Sequence, residues 1–166
     1  MVRPSACDYI TLNLANESAT VELGQKIATV LHPGLVIFLS GNLGAGKTTF
    51  VRGILRGLGY TEKVKSPTYN LIEVYKIFKL YLYHFDFYRF IDPFEWEEAG
   101  FREYFNAESI CLVEWPEKAA GLLPAADLGL FFQIHDAERI VKICPGTDAG
   151  RECLSHLKLS RKCQTP

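Results

Sequence analysis

Apolar and polar residues follow one another in patterns that predict both strands and helices. Residues 9–14 alternate between apolar and polar, which is typical of a half-buried strand. The polar residues 16–18 then predict the start of a helix that runs to about Leu31. The uninterrupted apolar run at 36–40 indicates a strand buried on both faces, as in a parallel sheet. Residues 48–59 carry apolar side chains on one helical face, which predicts an amphipathic helix directly after that strand.

The second half of the chain is richer in predicted strands. In order, these strands lie at 71–77, 79–85, 109–113, 128–134 and 139–143, and the first two are expected to pair as a hairpin. Asp92 followed by proline predicts a helix start, and the helical region is expected to break at Gly100. We therefore expect one domain over residues 1–146. The polar segment 147–166 is expected to be a tail that is either a frayed helix or disordered.

Residues 41–48, GNLGAGKT, match the P-loop pattern G-x-x-x-x-G-K-[ST] of nucleotide-binding proteins. The glycines Gly41, Gly44 and Gly46 allow a tight turn whose N–H groups point at phosphate oxygens. The helix that follows adds the positive end of its dipole. Lys47 supplies a charge for the β- and γ-phosphates, and the Thr48 hydroxyl is a candidate ligand for Mg²⁺. Because a buried strand precedes the motif and a helix follows it, the sequence predicts a phosphate-binding site.

Two carboxylates at strand ends are candidates to hold Mg²⁺ or to position water. Glu114 follows the predicted strand at 109–113, and Asp86 follows the predicted strand at 79–85. In P-loop proteins such an acid stands at the carboxyl end of a strand that neighbours the P-loop strand. The structural alternative for each is a carboxylate that only caps a loop. Both residues are therefore candidate catalytic groups beside Lys47.

Three other features near these acids have a structural and a functional interpretation. Residues 66–69, SPTY, lie where a switch-like loop would reach the γ-phosphate, but they also suit an ordinary turn. His84 alone is more typical of a strand-end histidine satisfied by hydrogen bonds. Trp115 follows Glu114 and is suited either to core packing or to contact with a partner protein.

Composition and charge limit the classes of protein to which this chain can belong. The formal net charge is −1, so no global basic field draws the protein to nucleic acid. No apolar stretch is long enough to span a bilayer, and the first seven residues lack the apolar core of a signal peptide, so we expect a cytoplasmic location and no membrane partner. The five cysteines are odd in number and form no C-x-x-C pair, which argues against a disulfide framework or a zinc site.

Several function classes fit a P-loop in a chain of this size. A small-metabolite kinase would need an acceptor pocket and usually an arginine-bearing lid, whereas the arginines here are scattered. A guanine-specific switch protein would carry an N-K-x-D motif, which does not occur. A binding module with little turnover also fits, because the motif indicates binding more reliably than hydrolysis.

Four segments, in this order and spacing, resemble the TsaE family of small bacterial P-loop ATPases: GNLGAGKT at 41–48, SPTY at 66–69, HFDFYR at 84–89 and EWP at 114–116. The resemblance covers about residues 10–143. It implies an ATP-binding and ATP-hydrolysing protein that acts with the TsaB–TsaD complex in making N6-threonylcarbamoyladenosine at position 37 of tRNA. It also implies that tRNA is met indirectly through that complex. Because the chain is one small domain with no evident lid over the phosphate site, we expect its Mg²⁺-dependent ATPase to be weak alone and stimulated by the partners.

The resemblance further implies a fold and a set of site residues. The fold is a single α/β P-loop domain with a mostly parallel central sheet, extended by antiparallel strands and flanked by helices on both faces. Thr48 and Glu114 match the magnesium ligands, and Asp86 matches an acid needed for activity. Glu17 and Arg139 match peripheral nucleotide contacts. The phosphate-binding segment is matched by Gly44, Ala45, Gly46, Lys47, Thr48 and Thr49.

Overall fold

Seven strands form one sheet in the part of the chain that this computed structural model describes, residues 9–67 and 70–159. In chain order the strands are β1 (Ile10–Leu14), β2 (Val36–Gly41), β3 (Ile72–Ile77), β4 (Leu80–Asp86), β5 (Ser109–Glu114), β6 (Leu128–His135) and β7 (Glu138–Pro145). The helices are α1 (Glu17–Ala28), α2 (Lys47–Gly57), α3 (Pro93–Glu98) and α4 (Asp148–His156), with 3₁₀ turns at Phe101–Tyr104 and Pro116–Ala119.

The strand order is β1-β7-β6-β2-β5-β4-β3, with the P-loop strand β2 in the centre. Strand β2 pairs in parallel with both β5 and β6, and β5 pairs in parallel with β4. Strands β3 and β7 join this parallel core in antiparallel pairings, and β1 pairs antiparallel with β7. The predicted fold class is confirmed. The carboxyl ends of β2, β4 and β5 therefore meet at one edge, where ligands bind in sheets of this type.

Two separate apolar cores cover the two faces of the sheet. Every residue of β5 is buried, and its side chains alternate between the cores: Ile110 and Leu112 join the larger core, and Cys111 and Val113 join the other. The larger core holds the inner faces of α1, α2 and α4. The smaller core is mostly aromatic and lies beneath α3. Burial on both faces explains why β5 is a continuous apolar run in sequence.

The ends of the helices show which local predictions the structure matches. The side chain of Asn16 accepts a hydrogen bond from the N–H of Ala19 at 2.9 Å, which caps α1 as predicted. The helix ends at Ala28 rather than near Leu31, because the chain tightens into i→i+3 bonds after that residue. In the expected tail, α4 starts at a capping threonine, and its Cys153 joins the larger core.

Helices α1 and α2 pack closely through glycines. A Cβ atom added to Gly53 would lie 2.3 Å from the carbonyl oxygen of Val21, and one added to Gly24 would lie 2.5 Å from that of Phe50. Real Cβ atoms do not approach backbone oxygens this closely, so any side chain here would push the helices apart. The close contact fixes α2, and with it the P-loop at its N-terminus, against α1.

Candidate functional site

The P-loop connects β2 to α2 through backbone conformations that favour glycine. Gly41, Gly44 and Gly46 have φ angles of 145°, 76° and 105°, in the left-handed region that other residues rarely adopt. Gly46 is the N-cap of α2 and offers no side chain to the free N–H groups of the first turn. Those groups are therefore available to an anion, which the helix dipole also attracts.

Lys47 is folded back across the loop that it follows. Its Nζ donates to the carbonyl oxygen of Gly41 at 2.5 Å and to that of Asn42 at 2.9 Å. The same Nζ lies 4.4 Å from the centre of the Trp115 ring, a cation–π contact. Burial lowers the pKa of Lys47, while the nearby carboxylates of Glu114 and Asp86 act in the opposite direction. The lysine charge is thus held at the loop by weak acceptors that phosphate oxygens can replace.

Glu114 stands at the centre of a buried group of side chains. Its Oε1 accepts a hydrogen bond from Oγ1 of Thr48 at 2.8 Å and lies 2.9 Å from Nε2 of His84. The Glu114 residue is 3% exposed and His84 is 0% exposed. Register brings these residues together, because β5 pairs Glu114 with Leu39 of β2 on one side and with Asp86 of β4 on the other. The contact between Thr48 and Glu114 joins the two residues predicted to hold Mg²⁺.

Asp86 lies next to Glu114 at the end of β4. Its Oδ1 accepts a hydrogen bond from the N–H of Tyr88 at 3.0 Å, which holds the carboxylate at the turn after the strand. Burial raises the pKa of the Asp86 carboxyl above its ordinary value of 3.8, and the charge of Glu114 adds to the rise. The Tyr88 N–H and Lys47 oppose this rise. Asp86 therefore shares one electrostatic environment with Lys47 and Glu114. Its role as a catalytic acid stays a prediction.

A hollow of about 230 Å³ lies beside the P-loop and includes the two predicted peripheral residues, Glu17 and Arg139. It is lined by Asn16, Glu17, Thr20, Gly44, Gly46, Thr49, Ala137 and Arg139. Nη2 of Arg139 lies 3.5 Å from the carbonyl oxygen of Gly44, and Glu17 pairs with Arg52 at 3.4 Å. The structure thus places Glu17 and Arg139 beside the phosphate loop, although they are distant in sequence. Their role as nucleotide contacts stays a prediction.

A larger hollow of about 420 Å³ borders the start of the P-loop, between Ser40 to Asn42 and the β6–β7 hairpin. Lys47, Thr48 and Glu114 do not line it. Size alone therefore does not mark the phosphate site. The phosphate site is marked instead by what meets there: a glycine-rich backbone, a lysine, a threonine and a carboxylate.

Trp115 occupies a backbone conformation unusual for its type. Its φ angle is 55°, in the left-handed region, and its N–H donates to the carbonyl oxygen of Leu39. The ring contacts Lys47, as described, and lies 5.0 Å from the ring of Tyr88. Of the switch-like loop predicted at 66–69, Ser66 and Pro67 are described, whereas Thr68 and Tyr69 lie outside the described residues. Trp115 therefore links the lysine to the segment after Asp86.

His84 is the site residue that sequence reasoning did not select. Its position in the sequence is by itself typical of an ordinary strand-end histidine. The sequence does contain a signal for His84. Residues two apart on a strand share a face, so His84 lies on the same face of its strand as the candidate Asp86. Only the pairing of β4 with β5 shows that this face also carries Glu114.

The residues present suit a nucleotide phosphate with Mg²⁺. The loop offers free N–H groups and a lysine to phosphate oxygens, and Thr48 and Glu114 offer the oxygen ligands that Mg²⁺ prefers. Among residues 9–67 and 70–159, no group of three or more His, Cys, Asp or Glu side chains is arranged to hold a metal ion. A Mg²⁺ ion here would take further ligands from phosphate and water, as it usually does. Fold and site together define a P-loop nucleotide-binding protein.

Comparison with known proteins identifies the family. The family model described as "Threonylcarbamoyl adenosine biosynthesis protein TsaE" matches residues 14–141. A protein of Haemophilus influenzae named tRNA threonylcarbamoyladenosine biosynthesis protein TsaE is 42% identical over 153 residues, which cover 89% of this chain and 97% of that one. The protein of the same name from Bacillus subtilis is 44% identical over 109 residues, covering 66% of this chain and 68% of that one. The chain belongs to the TsaE family.

A solved structure supports the same assignment. The crystal structure of YdiB from Bacillus subtilis superposes with a TM-score of 0.79 at 30% sequence identity, and the match covers 92% of this chain and 96% of that one.

No helix among the described residues is both long and apolar enough to cross a membrane.

Proposed function

We propose that the chain binds and hydrolyses ATP with Mg²⁺ and acts with the TsaB–TsaD complex in forming N6-threonylcarbamoyladenosine at position 37 of tRNA. The observation that carries the proposal is the hydrogen bond between Thr48 and Glu114 at the mouth of a complete P-loop. Membership of a family whose relatives are named for this biosynthesis supports it. The same membership favours this function over a small-metabolite kinase.

Each site residue has a role that follows from its position. The N–H groups at the start of α2 bind phosphate oxygens, and Lys47 exchanges the carbonyl oxygens of Gly41 and Asn42 for phosphate oxygens of higher charge. Thr48 and Glu114 would hold Mg²⁺, directly or through water. When bound, the ion would neutralise charge on the phosphates.

Asp86 is proposed to serve the chemical step. Its carboxylate ends β4 beside Glu114 and is electrostatically coupled to Lys47. In this position it can accept a hydrogen bond from a water molecule that attacks the γ-phosphate. Glu17 and Arg139 are proposed to contact the nucleotide beyond its phosphates, because they line the hollow beside the P-loop.

The exposure of the segment after Asp86 supports the proposal that partners stimulate the activity. The segment after Asp86 carries aliphatic and aromatic side chains in contact with solvent: Tyr88 is 44% exposed, Ile91 is 88% exposed and Phe94 is 75% exposed. Tyr88 contacts Trp115, and Trp115 contacts Lys47. A partner that docks on this segment would therefore act on the lysine through two ring contacts. Large aromatic residues commonly anchor such interfaces.

The test measures ATP turnover alone and with TsaB–TsaD for the wild type and for Lys47→Ala, Trp115→Ala and Phe78→Ala. Phe78 is the matched control, since it is 88% exposed at the β3–β4 turn, away from the P-loop. We expect stimulation of the wild type and of Phe78→Ala, no turnover by Lys47→Ala, and about 10-fold less stimulation of Trp115→Ala. Equal rates with and without the partners would refute the coupling. Normal stimulation of Trp115→Ala would remove Trp115 as its anchor.

A further inference from the structure

His84 is buried in a way that packing alone does not explain. Its side chain is completely inaccessible to solvent, and Nδ1 has no hydrogen-bond partner. Buried polar atoms without partners are rare because they lose their bonds to water and gain nothing in return. An apolar side chain would fill this place on β4 without that cost. Buried polar groups without partners tend to occur at functional sites, where the polar group itself is needed.

The other imidazole nitrogen contacts Glu114. Nε2 lies 2.9 Å from Oε1, the same oxygen that accepts the hydroxyl hydrogen of Thr48. A carboxylate only accepts hydrogen bonds, so Nε2 must carry a hydrogen to bond with it. A hydrogen on Nε2 satisfies this contact, while Nδ1 has no partner. The geometry therefore fixes the direction of the bond, from His84 to Glu114.

Two donors from different elements hold one oxygen of Glu114. Thr48 comes from the first turn of α2, and His84 comes from β4, a strand paired on both sides. A single bond would leave the carboxylate free to rotate about its last side-chain torsion. Two bonds that converge on Oε1 restrict that rotation and leave Oε2 outside both of them. The strand also fixes the imidazole, which is packed on all sides.

We propose that His84 is a positioning residue that orients the Glu114 carboxylate for Mg²⁺. This inference rests on the proposed function, because it concerns the metal site formed by Thr48 and Glu114. His84 does not touch the ion. It acts through Glu114, as side chains that hold metal ligands commonly do, and loss of such a contact typically lowers metal affinity by about 10- to 100-fold.

The first test compares nucleotide affinity with and without the metal. The dissociation constant of ADP is measured by calorimetry in EDTA and in Mg²⁺, and their ratio gives the metal-dependent gain. His84→Phe fills the space but removes the donor, whereas His84→Gln keeps an amide N–H that reaches about as far as Nε2. Phe85→Leu is the control, because Phe85 lies on the same strand but faces the aromatic core.

We expect His84→Phe to lose the metal-dependent gain by about 10-fold or more while it binds ADP normally in EDTA. His84→Gln and Phe85→Leu should keep the gain within about 3-fold, since neither removes a donor to Glu114. If His84→Phe does not fold, His84→Asn replaces it, because its shorter amide stops short of Oε1 and should also lose the gain. A full gain in the donor-free variant would overturn the role of His84. Absence of a gain in the wild type would instead overturn the proposed magnesium site.

The second test does not depend on the metal. The ¹⁵N chemical shifts of the His84 ring report which nitrogen carries hydrogen, and we expect a hydrogen on Nε2. Replacing Glu114 with Gln should shift the Nε2 signal, because its acceptor loses its charge. An Nε2 that carries no hydrogen would exclude donation to Glu114 and overturn the inference.

Discussion

Asp86→Asn is expected to separate the chemistry of the site from the stability of the fold. The substitution keeps the shape of the side chain and an oxygen that accepts the N–H of Tyr88. It removes a negative charge that is partly buried and stands beside Glu114. ATP should still bind, while hydrolysis should fall, because the variant no longer offers a carboxylate to water.

The expected change in stability follows from the direction of the pKa shift. Burial raises the pKa of Asp86 in the folded protein, so the folded state binds this proton more tightly than the unfolded state does. The contribution of Asp86 to stability is therefore full below its ordinary pKa of 3.8 and is lost as pH rises through the folded value. At neutral pH the ionised carboxylate opposes folding. We expect Asp86→Asn to stabilise the fold at pH 7 by about 1 kcal/mol, a typical gain from relieving one such defect at a functional site.

The assay is thermal unfolding without nucleotide or Mg²⁺ at several pH values between 4 and 7. For a chain of this length, about 1 kcal/mol corresponds to about 2–4 °C in Tm. The advantage of the variant over the wild type should be small near pH 4 and should grow toward pH 7. A variant that is less stable than the wild type at pH 7 and hydrolyses ATP normally would refute the reasoning and make Asp86 a structural residue.

Three further changes test other parts of the structure. Glu114→Gln should weaken Mg²⁺-dependent hydrolysis more than nucleotide binding in EDTA, because it removes the charge of a proposed metal ligand; equal losses in both measurements would contradict that role. Gly53→Ala should lower the free energy of unfolding by about 1–3 kcal/mol, measured by urea denaturation, since the new Cβ would lie 2.3 Å from the Val21 carbonyl oxygen; an unchanged midpoint would show that the helices can separate without cost. Burial raises the pKa of the Cys111 thiol to about 12, so iodoacetamide at pH 8 should leave it unmodified until urea is added, as followed by mass spectrometry of peptides; rapid alkylation of the folded protein would contradict its burial.

Much of the fold could be predicted because it depends on neighbours in the chain. The capping side chain of Asn16 bonds to an amide three residues away, and the alternation of β1 reflects one buried face. The P-loop is a local motif whose glycines adopt the left-handed backbone conformations of its own turn. In these segments local chemistry and tertiary structure agree, so the sequence pattern and the motif were enough to predict the structure.

The helix α4 shows where local patterns were too weak. Residues 147–166 are polar, with few apolar positions, and the sequence alone favoured a frayed or disordered tail. In the structure, Cys153 and Leu154 of α4 join the core that α1 and α2 form. A few buried residues suffice to dock a short helix because the surface that receives them is supplied by distant segments.

The sequence by itself determined the phosphate-binding loop, the order of strands and helices along the chain, and the candidate residues Thr48, Asp86 and Glu114. Tertiary structure decided how these parts meet. The contact between His84 and Glu114 requires β4 beside β5 in one register, because a shift by one residue would turn the histidine to the opposite face. The position of Lys47 over Trp115 likewise depends on the neighbouring placement of β2 and β5. Motifs are read within a few residues, whereas the geometry of this site is set by pairings between strands that lie far apart in the chain.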